Sequence, residues 1–286
     1  MNVHKAIITA AGRDQQTLPL QTFVDRDGVE KKALQIVLEE VVSAGIEEVC
    51  LIIAPGNQDA YREAAGEHAG RLHFVEQPQP RGYGQALNLG REFAGRQAFL
   101  HLVSDHLYIS RGPARCAQQV VEQAVAEGCS VSAVQATRES MLPFYGTIGG
   151  RRVGRRADLY EVENVLEKPT PSTAEQELIV PGLRAGHYLC TFGIHVFTPA
   201  LMDLLDEMIQ EKKALDGPVQ LSPALAQLAR RERYLALEVR GIRYNIGIRY
   251  GLLIAQLALA LDGADREAVL AQLVELLAQR GRDGGN

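Results

Sequence analysis

Lys5-Ala6-Ile7-Ile8-Thr9-Ala10-Ala11-Gly12 is a short apolar, β-branched run that ends in three small residues. Branched side chains at that density suit a buried strand, and the small residues after it release the chain into a loop. Residues 13–31 are polar and irregular, and a helical pattern starts near Lys32, with Leu34, Val37, Leu38, Val41 and Val42 on its apolar face. Gly45 ends that helix, and residues 48–54 form a second buried strand, so the first fifty residues make a β-loop-α-β unit.

The alternation continues outward from this unit. Residues 61–68 read as helix, 72–76 as strand, 85–93 as helix, 98–103 as strand, 115–126 as helix and 130–134 as strand. This pattern predicts an α/β fold with a doubly wound, mostly parallel, Rossmann-like sheet and right-handed crossovers. Past residue 135 the pattern turns to extended segments at 145–149, 160–167 and 187–197, read as a smaller antiparallel or mixed portion packed on the first sheet. Helices are predicted at 199–209 and 223–230, a strand at 234–239, and C-terminal helices at 249–261 and 265–280, the last amphipathic and followed by a frayed tail over 281–286.

Composition narrows the class. The 286 residues are 46% hydrophobic with a net charge of -5, and the basic residues are scattered, which argues against nucleic acid or an anionic membrane as partner. The apolar run ending at Ala11 is too short to span a bilayer and lacks a cleavage pattern, so a cytoplasmic protein is expected. Cys50, Cys116, Cys129 and Cys190 are widely spaced in or beside apolar segments, as reduced, buried thiols are.

In open α/β sheets ligands gather where strands end, so the residues just after each strand are the candidates. Ala10, Ala11 and Gly12 follow the first strand and leave room for a base or phosphate at backbone N–H groups. Gln77-Pro78-Gln79-Pro80-Arg81-Gly82-Tyr83-Gly84 follows another, joining an amide that can read a pyrimidine edge to glycines that leave space for the ring. Asp105 ends the strand at 98–103, suited either to a divalent metal or to a helix N-cap. His101, within that strand, reads as a satisfied core residue, and Glu167-Lys168-Pro169 closes a later strand with a carboxylate beside an ammonium.

In this order and spacing, these segments resemble the sugar-1-phosphate nucleotidyltransferases, especially the bacterial UTP:glucose-1-phosphate uridylyltransferases, from Lys5 to about Leu261. The resemblance implies one nucleotidyltransferase domain over residues 1–262, followed by a C-terminal helix and tail over 263–286. It implies nucleotide contacts at Ala10, Ala11, Gly12, Gln77, Gly82 and Tyr83, and sugar contacts at Tyr145, Gly146, Glu167, Lys168 and Gly193. Gln220-Leu221-Ser222 resembles the family's Gln-Leu-Thr segment, and Asn245-Ile246-Gly247-Ile248-Arg249-Tyr250-Gly251 its Asp-x-Gly-x-Lys-x-Gly segment. Asp105 and Asn245 stand where magnesium is held, and Asp105 and Lys168 are the implied catalytic pair. The implied reaction joins UTP to a sugar 1-phosphate and releases pyrophosphate, in a protein expected to form a homo-oligomer.

Two departures from the family stand out. Its Gly-x-Gly-Thr-Arg-x-x-Pro loop reads here Gly12-Arg13-Asp14-Gln15-Gln16-Thr17-Leu18-Pro19, with Gln16 in place of the arginine and no lysine placed downstream. Arg13, Arg26, Lys31 and Lys32 are the basic candidates to replace them. Asn245 stands where the second metal carboxylate belongs, so a homologue that binds sugar nucleotides with little turnover, regulatory or a partner subunit, is the competing expectation.

Overall fold

The computed structural model describes residues 1–13, 15–213 and 217–283. β1 (Val3–Thr9) is buried because Ala6, Ile7 and Ile8 put apolar side chains on both faces. The stretch expected as an irregular loop contains a small hairpin, β2 (Thr22–Val24) with β3 (Glu30–Lys32). Then come α1 (Ala33–Ser43), β4 (Glu48–Ile53), α2 (Gln58–Ala64) and β5 (Leu72–Glu76). The single helix expected over 85–93 is split into α3 (Tyr83–Asn88) and α4 (Arg91–Ala94). They part at Gly90, whose bare Cα rests on β1: a Cβ there would lie 2.7 Å from Ile7 Cδ1.

β6 (Ala98–Val103) and β7 (His106–Ser110) flank Asp105 and are followed by α5 (Cys116–Glu127) and β8 (Ser130–Arg138). The second half comprises β9 (Gly146–Arg152), β10 (Leu159–Glu167), α6 (Pro171–Glu177), β11 (His187–Phe197), α7 (Pro199–Lys213), α8 (Leu221–Arg231), β12 (Tyr234–Glu238) and β13 (Gly241–Asn245). α9 (Gly251–Asp262) and α10 (Arg266–Asp283) pack on each other at the C-terminus. Residues 284–286 of the expected tail lie outside the described residues.

The sheet corrects the expected topology. Nine strands form one sheet in the order β5-β4-β1-β6-β11-β8-β12-β10-β9, and the extended segments after residue 135 continue it instead of packing on it. Parallel pairing joins β5, β4, β1 and β6, and also β8 with β12. Antiparallel pairing joins β11 to β6 and β8, β10 to β12 and β9, and β11 to β9. The sheet is therefore mixed, neither mostly parallel nor clearly doubly wound. The reason is local: β9 and β10 are consecutive and joined by a short turn, a connection open to antiparallel neighbours and closed to parallel ones.

This topology sets up one edge. Parallel registers align the ends of β1, β4, β5 and β6, so the residues that follow them (Gly12, Gln77 and Asp105 among them) emerge side by side. β13 pairs antiparallel with β7 and sets Asn245 opposite His106, beside Asp105. In the β9–β10 pair, Glu167 stands directly across from Gly146. The four cysteines are free and buried, and burial pushes the thiols of Cys50 and Cys116 up to about 12. No described helix is long and apolar enough to cross a membrane.

Candidate active site

A cleft of about 520 Å³ opens at that edge, and Ala11, Gly12, Gln77, Gly82, Tyr83, Asp105, Tyr145, Gly146, Glu167, Lys168, Gly193 and Asn245 all line it. Of the residues expected to contact nucleotide, sugar or metal, all line it except Ala10. Its N–H donates to the Ile52 carbonyl (2.8 Å), its carbonyl accepts from the Tyr61 hydroxyl (3.2 Å), and its methyl is in the core. Ala10 closes the strand behind the cleft and is not on its surface.

Gly82 and Gly84 correct a reason as well. A Cβ at Gly82, whose φ is +103°, would lie 2.3 Å from the Val219 carbonyl oxygen, and one at Gly84 would lie 3.0 Å from that of Gln220. The glycines let the segment before α8 lie flat on this turn, with the Gly84 N–H donating to Val219 O (2.9 Å) and the Val219 N–H to Arg81 O (2.9 Å). Their smallness is used on the protein side of the wall. Above them Gln77 is buried and its Nε2–H donates to Gln85 Oε1, which fixes the orientation of the amide.

Beneath this wall runs a chain of buried polar contacts. The His101 Nδ1–H donates to the Ile7 carbonyl (2.9 Å), which leaves Nε2 to accept from the Tyr83 hydroxyl (2.6 Å). Burial holds His101 down to about 4 and pushes the Tyr83 hydroxyl up. His195 stacks on His101 with ring centroids 5.8 Å apart, and its Nδ1 is hydrogen-bonded to Ser132 Oγ. Burial first, then His101 and His106, lower its pKa well below the ordinary value. Burial disfavours the charged form of both rings, and His101, paired at both nitrogens, is the satisfied core residue expected.

The far wall is polar and charged. Ser222 Oγ–H donates to Glu167 Oε2 (2.5 Å), and a Cβ at Gly146 would meet Ser222 Oγ, Glu167 Oε2 and Thr191 Oγ1 at 3.3 to 3.4 Å. Three oxygens therefore converge over the bare Cα of Gly146. Lys168 holds φ at +46°, a left-handed conformation that costs a non-glycine residue about 1 to 2 kcal/mol. That strain sits between β10 and Pro169, on a residue that lines the cleft. Arg243 lies behind Tyr145, its guanidinium carbon 3.8 Å from the ring centroid, and backs the ring from the protein side.

Where the sequence places the metal, Asp105 Oδ2 accepts from Gln15 Nε2–H (2.6 Å) and Asn245 Oδ1 accepts from the Gly247 N–H (2.8 Å). Both oxygens border Gly247: a Cβ there would lie 3.3 Å from Asn245 Oδ1 and 3.6 Å from Asp105 Oδ2. A carboxylate beside an amide oxygen fits magnesium when phosphate oxygens complete the shell. No group of three or more His, Cys, Asp or Glu suited to a metal occurs among the described residues, so the substrate would have to supply the remainder.

The loop after β1 is neutral where it faces the cleft. Gln15 lines it, with Oε1 2.7 Å from where a Cβ on Gly12 would sit, whereas the Gln16 side chain accepts from Asn57 Nδ2–H (3.3 Å). Asp14 lies outside the described residues. None of the four basic candidates lines the cleft. Arg26 pairs with Asp262 (3.4 Å), and Lys32 donates to Thr22 Oγ1 (2.9 Å). Lys31 sits 2.8 Å from each of Asp25, Asp27 and Glu39; burial opposes its charge, but these three bonds outweigh that and raise its pKa. Arg13 is exposed. Thr191 and the role of Gln15 went unseen in the sequence, because neither has a motif and both are defined by what the fold brings near.

The profile of the family described as "Nucleotidyl transferase" matches residues 5–235. A UTP–glucose-1-phosphate uridylyltransferase of Bacillus subtilis is 27% identical over 305 residues, covering 97% of this chain and 98% of that protein. The corresponding enzyme 1 of Streptococcus pyogenes serotype M3 is 26% identical, covering 91% of this chain and 90% of its own length. Among solved structures, a UDP-glucose pyrophosphorylase of Acinetobacter baumannii superposes with a TM-score of 0.74 at 21% identity, covering 96% of this chain and all of that one, a likeness of fold.

Proposed function

Because the chain belongs to the nucleotidyl transferase family, we propose that it transfers a uridylyl group from UTP to a hexose 1-phosphate, with glucose 1-phosphate the acceptor that best agrees with its relatives. The observation that carries this reading is the convergence of Gln77, Asp105, Glu167 and Lys168, from three separate strand ends, on one cleft. Gln77 and the turn at Gly82 and Tyr83 receive the uracil. Glu167, braced by Ser222, accepts hydrogen bonds from sugar hydroxyls. Lys168 pairs with the phosphate of the sugar and holds its oxygen in line with the α-phosphorus of UTP, and pyrophosphate departs from the opposite side. Such a reaction needs positioning and charge compensation, with no covalent intermediate on the protein. Asp105 and Asn245 would hold magnesium, which when bound neutralises the crowded phosphate oxygens.

One observation favours a second reading, a binding homologue with little turnover in a regulatory or partner-subunit role. Among the described lining residues Lys168 is the only lysine or arginine, so the β- and γ-phosphates of UTP meet neutral amides. Pyrophosphate release from UTP, glucose 1-phosphate and magnesium separates the two. Steady release supports transfer, and thermal stabilisation by UDP-glucose without release supports the binding homologue. Self-association belongs to the same proposal: Leu253, Ile254, Leu276 and Leu277 expose apolar surface on α9 and α10, as a subunit contact would. So does a cytoplasmic location.

A further inference from the structure

His106 begins β7 next to Asp105 and lines the cleft, yet it is only 7% exposed. Neither Nδ1 nor Nε2 has a hydrogen-bond partner among the described residues. The Phe192 carbonyl lies near the ring without meeting either nitrogen in hydrogen-bond geometry. His101 and His195, buried beside it, are both paired. Native structures seldom leave a buried polar side chain unpaired, and a ring orphaned at both nitrogens on a cleft wall is a group whose partner arrives with a ligand.

The placement is specific. Gly193 holds φ at +85°, and a Cβ there would lie 2.6 Å from His106 Nδ1, so only glycine leaves the ring its space. The Tyr108 hydroxyl donates to the Gly193 carbonyl (3.1 Å), which fixes that bend. The ring centroid is 6.1 Å from that of Tyr145, the residue before Gly146, over which Glu167, Thr191 and Ser222 converge. His106 thus belongs to the wall that carries the sugar, across from Gln77.

We infer that His106 is a sugar-reading residue, hydrogen-bonded through its Nε2 to one hydroxyl of the hexose, with Nδ1 turned against Gly193. The inference rests on the uridylyltransferase reading above. A neutral imidazole nitrogen gives or accepts a hydrogen bond according to its tautomer, a match for a hydroxyl, which does both, whereas a phosphate oxygen only receives. Losing the ring therefore weakens recognition of the sugar and leaves the nucleotide untouched.

Calorimetric titration of UDP and of UDP-glucose, with magnesium, into wild type, His106→Leu and His106→Gln tests this. UDP is expected to bind all three within about twofold. UDP-glucose is expected to bind His106→Leu about tenfold more weakly than wild type, with part of the loss recovered in His106→Gln, which keeps a donor and an acceptor. The thermal midpoint of unliganded His106→Leu should equal or exceed that of wild type, since an unpaired polar ring has gone, and this shows that the variant folds. Equal UDP-glucose affinity in wild type and His106→Leu overturns the inference, as does an equal loss for UDP and UDP-glucose. Wild type that binds neither ligand contradicts the functional reading itself, and the inference with it.

Discussion

The two ends of the cleft are built differently. At the sugar end, Glu167, Ser222, Thr191 and Lys168 converge around Gly146, with a hydrogen bond bracing the carboxylate and backbone strain at the lysine. At the end assigned to the triphosphate, Gln15 presents a neutral amide tied to Asp105, and the Gln16 amide is turned onto Asn57 outside the cleft lining. The nearby cations face elsewhere, Lys31 most of all, held by three carboxylates. Under the proposed function, the difference means that recognition of a sugar nucleotide and stabilisation of a leaving pyrophosphate are separable in this fold. The first would rest on groups already in place, and the second on whatever charge a metal brought with the substrate supplies.

Asp105 lies at the junction of the two ends, so its removal carries the largest expected effect. Asp105→Ala should reduce pyrophosphate release about a thousandfold, or about 4 kcal/mol, in a coupled assay. Unchanged activity would break the comparison at its hinge.

A pair of glycine substitutions compares the rigidity of the two walls. Gly82→Ala forces a Cβ to within 2.3 Å of a backbone carbonyl at positive φ, and should cost about 3 kcal/mol in urea unfolding. Gly12→Ala meets only the flexible end of Gln15, which can swing aside, and should cost less than about 1 kcal/mol.

Acid should act through the buried histidines beneath the base and sugar walls. His101 is held at about 4 when folded, while the unfolded chain titrates near 6.5. Between those values the unfolded state binds the extra proton, so stability falls as pH falls. The loss is about 1.4 kcal/mol per pH unit, near 2 kcal/mol by pH 5. Urea midpoints from pH 7.5 to 4.5 should fall at least that steeply, because His195 adds a slope of the same sign, and His101→Phe should make the fall shallower without abolishing it.

The smallest effect is a gain. Gln16→Arg puts a cation back at the triphosphate end and should raise kcat/KM for UTP about tenfold, with the affinity for UDP-glucose little changed. A matching rise in UDP-glucose affinity would mean that the two ends are not separable.

Much of this was legible in the sequence, and the unread parts share a cause. β1, β4, β5 and β6 are apolar runs whose residues declare them, and Asp105, Gly82 and Glu167-Lys168 sit at ends that periodicity locates. The pairing of β7 with β13 was not legible. Each strand has five residues, and their partners lie more than a hundred positions apart, so their burial is supplied by the fold and not by local pattern. The fate of Lys31 was hidden for the same reason, since Asp25, Asp27 and Glu39 become its partners only when the hairpin folds onto α1. The isolation of His106 shows only once every neighbour is in place.

The central claim is that one cleft, assembled from distant parts of the chain, holds a sugar nucleotide in a fixed direction. A crystal structure with UDP-glucose tests it most directly. The account predicts the uracil against Gln77 and Gly82, the diphosphate between Gly12 and Asp105 with Lys168 on the sugar-side phosphate, and the glucose hydroxyls on Glu167. A ligand bound outside this cleft, or with its base at Glu167 and its sugar at Gln77, would contradict it.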